Sequence, residues 1–585
     1  MNRLVESKYI EDLKNKWTKN WPEHLPIAPN YPFGEIPITE YLVKRAKQTP
    51  DKPCIIFYGK EITYRELDEW SNRLTSYLLS IGLRKQDRVA VFLPNCPQFL
   101  IAFYGILKAG GVHVPVNPMF KTQELLYELQ DTDAEFIITL DQLYPVIQSV
   151  KGETNIREII TTNLSEFLPE EPVIPLHPSM KDVLTAQAVD PDVESLSRIL
   201  AEQSPEFPKV DISLDDLAAL NYTGGTTGMP KGCEHTQRDM LYTSACNTTY
   251  TYLLSPEEVR LTYMPVFWIA GENSGVLAPV FSGATHLLLY RWDTKAVLEA
   301  IAQYNVSCMS AVMDNIVALM EHPELARYDL SSVKTTTVSS FVKKLTVEYR
   351  QRWHKLTGSV LRETAYGMTE THTSDTFTTG FQAGDFDLKS QPVFCGIPMP
   401  GTYLKIVDFQ TGELMPPGKE GEIAIKTPSL MKGYWNKPEE TRRVFRNGWF
   451  HTGDIGVIDD NGFLHFLGRK KEMLKVNGMS IFPSEIEMLM GKMQELEGCG
   501  VIGLEDEEKG QLPLAVVQLR AEYRNKMTED DIQNWCKANM APYKVPIVKI
   551  VEQLPLTTTG KVKKGELLKS LQVAKNQTNG KEILK

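Results

Sequence analysis

Short apolar runs rich in Val and Ile alternate with helix-period patterns along most of the chain. Residues 54–58 (CIIFY) precede an amphipathic stretch at 63–82, and 87–93 (DRVAVFL) precede an apolar stretch at 99–110. Residues 112–116 (VHVPV) lead into 121–132, and 134–140 (AEFIITL) follow. Strand–helix–strand alternation of this kind predicts a mainly parallel sheet covered by helices on both faces. Ligands of such sheets gather beyond the C-terminal strand ends, so chemistry is expected on loops that follow strands.

Two long uncharged runs, 89–107 and 273–290, raise the question of a membrane span. The first is broken by Pro94-Asn95-Cys96-Pro97-Gln98 and the second by Pro279 and Ser282-Gly283. Both therefore read as a buried strand and a buried helix joined by a turn, because lipid would leave the turn's backbone groups unpaired. A Pro-rich acidic stretch at 168–208 reads as connection and not core. From Glu472 onward the pattern changes to short strands and helices that make a compact unit of about 110 residues, a common domain size.

Composition narrows the classes. The 585 residues carry 63 Lys+Arg against 74 Asp+Glu, a formal charge of −11. That balance argues against a general nucleic-acid binder, which needs a basic field, yet leaves a small anionic ligand open because local charge builds such a site. Eight scattered cysteines without a C-x-x-C pair point to reduced packing residues in a cytoplasmic protein. The charged N-terminus has no apolar signal core.

Four segments carry candidate chemistry. Residues 222–232 (YTGGTTGMPKG) combine glycines, threonine hydroxyls and Lys231, the composition of an anion cradle. A Walker A loop is excluded, since Lys231 is followed by Gly232 and preceded by Pro230; a plain Gly-rich hairpin is the structural alternative. Residues 363–370 (ETAYGMTE) offer an aromatic plane at Tyr366, a turn at Gly367, a hydroxyl at Thr369 and a carboxylate at Glu370 suited to Mg²⁺. Asp454 and Arg469 stand where strands are expected to end, matching either a ribose site or a surface ion pair. Lys561 follows a Pro/Thr/Gly segment expected to be a mobile loop, and a mobile cation suits charge developing on phosphate and carboxylate together.

In this order the segments resemble the adenylate-forming (AMP-binding) superfamily of acyl-CoA synthetases, luciferases and peptide-synthetase adenylation domains. The resemblance runs over about 38–568 and includes Gly433-Tyr434-Trp435, Thr441, Gly478 and Ser484-Glu485-Ile486-Glu487. It implies an α/β fold: a large multi-subdomain N-terminal domain with mainly parallel sheets, residues 1–470, and a small mobile α+β lid, residues 471–585, hinged at Lys471. It also implies a two-step reaction in which a carboxylate attacks the α-phosphate of ATP and a thiol, usually coenzyme A, then takes the acyl group.

Carried over by position, Thr223, Gly225, Thr226, Thr227, Gly228 and Lys231 would hold phosphates. Tyr366 and Gly367 would face adenine, and Thr369 the α-phosphate. Glu370, with Thr226, would hold Mg²⁺. Asp454 and Arg469 would take the ribose, Lys561 the reacting carboxylate and α-phosphate, and the region of Lys475 and Gly478 the thiol channel. Trp268 and Gly271 would line the acyl pocket.

The chain departs from the family pattern at Gly224, Gln237, Trp268 and the turn Val338-Ser339-Ser340-Phe341, where Phe341 adds bulk beside the expected adenine site. No aspartate stands near Trp268 to pair an ammonium, which favours a fatty or other apolar acid over an amino acid; Glu272 reverses that if it points inward. The expected partners are a small carboxylic acid, ATP and CoA, with neither nucleic acid nor an integral membrane segment, and a homodimer left open. Loading of a carrier-protein thiol and a catalytically degenerate scaffold are the alternative functions.

Overall fold

The computed structural model describes residues 3–223, 229–373, 375–390, 393–476, 479–506, 510–557 and 560–567. Two seven-stranded sheets form the frame of the larger part of the chain. One runs in the order Glu194–Ser195, Glu158–Thr162, Phe136–Leu140, Arg88–Phe92, Val112–Pro115, Leu217–Tyr222, Gly232–Thr236. The other runs Leu361–Glu363, Thr335–Ser339, Cys308–Val312, Val259–Thr262, Thr285–Leu288, Pro53–Phe57, Lys60–Thr63. Each is parallel except for one antiparallel hairpin at its edge, as the alternating pattern predicts.

The helices that cover these sheets follow from local chemistry. Thr63 and Glu66 form a reciprocal capping box that starts the helix Tyr64–Ser80. That helix buries Leu67, Ser71, Leu74 and Leu78 on one face, at helical spacing. It packs on Pro97–Lys108, which is buried at every position. Lys108 ends this apolar helix and is held by Asp68 at 2.6 Å, Ser71 at 2.8 Å and Asn72 at 2.6 Å, so the cation is paired despite its burial. The uncharged run is thus a strand and a core helix. Among the described residues no helix is long and apolar enough to cross a membrane, and all eight cysteines are buried and unbridged.

A second capping box fixes the chain directly after the Gly-rich segment. Thr236 Oγ1 accepts from Asp239 N at 3.2 Å, and Asp239 Oδ2 accepts from Thr236 N at 2.8 Å, opening the buried helix Gln237–Cys246. Thr236→Ala is expected to cost about 1–2 kcal/mol, read by urea denaturation, because the freed backbone N–H is buried away from water.

A six-stranded antiparallel sheet follows, with Trp449–Ile458 paired to Leu464–Arg469 and Gly421–Lys426. The smaller C-terminal domain is α+β. Its five strands lie between Leu474 and Val551, with the helices Pro483–Met490 and Glu529–Asn539 beside them.

Two expectations need correction. The Pro-rich stretch is not merely connection: Glu194–Ser195 adds a strand to a main sheet, and Ile174, Met180, Leu196 and Ile199 are buried in the core. Prolines there punctuate short elements whose apolar residues still reach the core. Asp454 does not stand at a strand end. It sits inside Trp449–Ile458, directly opposite Arg469 in the ladder, because antiparallel register, not strand length, brings the pair together.

Candidate active site

A cleft of about 3390 Å³ opens at the C-terminal ends of the parallel strands, lined by Pro115, Tyr222, Pro265, Ser339 and Glu363, and the C-terminal domain closes its far side. Single-ligand pockets run to about 1,000 Å³, so this space is large enough for more than one ligand.

The Gly-rich segment joins the strands Leu217–Tyr222 and Gly232–Thr236, which pair antiparallel. Its mouth is closed by Thr223 N donating to the Lys231 carbonyl at 2.9 Å and Lys231 N donating to Thr223 Oγ1 at 3.2 Å. Lys231 Nζ lies 4.2 Å from the centre of the Tyr434 ring and 3.8 Å from Glu440. Gly225, Thr226, Thr227 and Gly228 lie outside the described residues, as do Gly224 and Gly478, and the Lys475 side chain is likewise not described.

After the strand Leu361–Glu363 the chain turns tightly. A Cβ on Gly367 would sit 2.2 Å from the Thr373 carbonyl oxygen, so only glycine fits. Tyr366 is buried against Phe466, and its hydroxyl donates to Asp454 Oδ2 at 2.7 Å. Arg469 Nε stands 3.3 Å from the other Asp454 oxygen. Burial raises the Asp454 carboxyl above its ordinary range, opposed by the Arg469 charge and the Tyr366 bond. The Thr369 carbonyl hydrogen-bonds the His235 ring at 2.7 Å, and Glu370 Oε1 accepts from Tyr434 Oη at 2.8 Å.

Lys561 comes from the C-terminal domain. Thr557 N donates to its carbonyl at 2.7 Å, and its own N–H returns to Thr557 Oγ1 at 3.0 Å, in a tight turn with Gly560 at φ 79°. Its ammonium enters the cleft and stands 5.0 Å from the Phe341 ring centre. The residue is exposed, yet desolvation by nearby protein atoms and the Arg469 charge push the ammonium below the usual lysine range, while Asp454 and Glu472 pull it back. Lys471 is exposed within the short turn Lys470–Glu472.

Trp268 is half-buried on the cleft wall and edges against Phe267 at 5.1 Å. A Cβ on Gly271 would fall 1.9 Å from the Pro265 carbonyl oxygen, so glycine alone lets the 265–271 wall fold back on itself. Glu272 is not among the residues that line the cleft. It is fully buried, accepts from Asn221 at 3.0 Å, and lies 3.9 Å from His113 and 3.8 Å from His372. Burial pushes its carboxyl up to about 8 and the His113 imidazole down to about 3. Sequence reasoning missed this polar cluster, whose members are drawn from separate segments with no local spacing signal.

Among the described residues no group of three or more His, Cys, Asp or Glu side chains could hold a metal ion. A single cleft carboxylate such as Glu370 would nevertheless suit Mg²⁺ that keeps its waters and phosphate oxygens as further ligands.

Family models for an AMP-binding enzyme and for an AMP-binding enzyme C-terminal domain match residues 42–435 and 485–561. The chain belongs to the AMP-binding enzyme family and is an acid–thiol ligase by class. It is 34% identical over 559 residues to a long-chain-fatty-acid–CoA ligase of Bacillus subtilis (strain 168), covering 94% of this chain and 97% of that one. It is 31% identical to the enzyme of that name from Escherichia coli O6:H1, covering 95% and 98%. A solved structure of ATP-bound MatB from Rhodopseudomonas palustris superposes with TM-score 0.77 at 26% identity, covering 92% of this chain and 99% of that one.

Proposed function

We propose that this protein joins a fatty or other apolar carboxylic acid to coenzyme A through an acyl-adenylate. The observation that carries this is the meeting of Lys231, Glu370, Asp454, Arg469 and Lys561, from four segments of the larger domain and the C-terminal domain, around one cleft. Together they set three cations beside two carboxylates around one cleft of a protein of net charge −11.

In the first step a carboxylate oxygen attacks the α-phosphorus of ATP, and the bond to pyrophosphate breaks. Lys561 neutralises the charge shared by carboxylate and α-phosphate, Thr369 bonds the latter, and Lys231 with Thr223 and the following loop holds the leaving phosphates. Asp454 and Arg469 take the ribose, and Tyr366 flanks the base. Glu370 would hold Mg²⁺, which when bound offsets charge on the phosphates. No general base is needed, because the nucleophile is already an anion; the residues position it and stabilise charge. In the second step the CoA sulfur attacks the acyl carbon and AMP leaves. Lys561 must vacate the site for this, so the domains, 1–470 and 471–585, turn about Lys471.

The apolar acid is supported by the 265–271 wall, which offers Trp268 and no carboxylate, and by Glu272 lying beneath it, engaged with Asn221. The two curated relatives named for long-chain fatty acids point the same way. Each buried CH₂ contributes about 0.8 kcal/mol, so pocket depth sets chain length. A panel of aliphatic, aryl and amino acids assayed for acid-dependent pyrophosphate release and CoA-dependent AMP release tests this. Turnover of apolar aliphatic acids is expected, and preference for amino acids would overturn it.

A further inference from the structure

The segment Ser340–Lys344 differs from the turn expected beside adenine, and its contacts lead away from the nucleotide side. Ser340 anchors it: its N–H and hydroxyl donate to the two Glu363 carboxyl oxygens at 2.8 and 2.6 Å, and its Oγ accepts from Leu345 N at 2.9 Å. The next three residues all reach the C-terminal domain. The Phe341 ring lies 5.0 Å from Lys561 Nζ. Val342 is buried among Ile502, Leu514, Val516, Leu554 and Leu567, so it belongs to that domain's core. Lys343 Nζ is buried and pairs with Glu497 at 2.7 Å.

The fit at Val342 is specific. A Cβ on Gly498 would lie 2.0 Å from Val342 Cγ1, so the C-terminal domain keeps a bare backbone where Val342 enters. Near the chain crossing, Phe482 packs on Ile455 and Leu467. A hinge alone leaves one rotation free; a second contact far from it in sequence fixes the angle.

Resting on the two-step activity proposed above, we propose that Ser340–Lys344 is a docking latch. It seats the C-terminal domain in the adenylate-forming arrangement, with Phe341 as the positioning residue that holds Lys561 over the cleft by a cation–π contact. The latch releases when the domain turns for thioester formation, so its strength sets the balance between the two arrangements.

The test has two arms. Phe341→Ala and Phe341→Leu are expected to lower kcat for acid-dependent ATP–pyrophosphate exchange about threefold, the scale of a cation–π contact to an exposed lysine. KM for ATP and the rate of thioester formation from preformed acyl-adenylate should hold, and Phe341→Tyr should restore exchange. If Phe341→Leu matches the wild type, or if KM for ATP rises with kcat unchanged, Phe341 does not position Lys561 and the proposal falls.

The second arm pairs Val342→Cys with Gly498→Cys. The Gly498 Cβ position is 3.5 Å from Val342 Cβ, within the roughly 3.5–4.5 Å that a disulfide spans. The oxidised protein should keep exchange, lose thioester formation, and regain it on reduction. A bond that forms without affecting thioester formation, or that fails to form, overturns the latch. Wild-type protein without exchange on any acid instead removes the ligase proposal, while disulfide yield still reports docking.

Discussion

Lys561→Ala is expected to lower acid-dependent ATP–pyrophosphate exchange by about 100- to 1,000-fold, the usual loss when one preorganised charge-stabilising donor is removed. Lys561 is brought by a turn of the smaller domain to the edge of the cleft, where nearby protein atoms and Arg469 hold its ammonium below the ordinary range while the residue stays exposed. Thioester formation from preformed acyl-adenylate should persist, since the proposed second step uses a different domain arrangement. The two half-reactions assayed separately check this; equal loss in both would remove Lys561 from the first step in particular.

Glu272→Gln should change how stability depends on pH. The Glu272 carboxyl rises from 4.5 to about 8 in the folded protein because it is buried, with Asn221 opposing. The folded state therefore holds a proton that the unfolded state loses from pH 4.5 upward, and stability drains away as pH rises towards 8. Glutamine has no proton to lose. Relative to the wild type, Glu272→Gln should gain up to about 1.4 kcal/mol per pH unit across that window, and nothing further above about pH 8. The introduced glutamine keeps an acceptor for Asn221 and adds an N–H near His113 and His372. Urea denaturation of both proteins from about pH 5 to 9 measures the difference; parallel curves would show that Glu272 ionises normally. Neutral His113 acts oppositely, gaining stability as pH rises from about 3 to 6.5, but it is common to both proteins and cancels.

The same residues show how far reading along the chain reaches. Strand–helix alternation was legible because each helix must hide one face against a sheet, and that need is written locally, as in Thr63 and Glu66 opening Tyr64–Ser80. The Gly-rich segment, 363–370, Asp454, Arg469 and Lys561 stood out as candidates because phosphate and metal chemistry favour particular side chains in short runs. Their assembly was not legible, since Asp454 meets Arg469 through antiparallel register and Tyr366 reaches Asp454 across sheets. Phe341 stood out as bulk beside the expected adenine site, yet its contact with Lys561 arises only where two domains meet.

By itself the amino-acid order determined the fold class and the class of chemistry and marked candidate groups for it, because backbone propensity, hydrophobic period and motif composition act over a few residues. Only the tertiary structure decided that Glu272 is buried and held by Asn221 and that Val342 belongs to the other domain's core. Burial and docking are set by residues far apart in the chain, whose meeting in space no local pattern encodes.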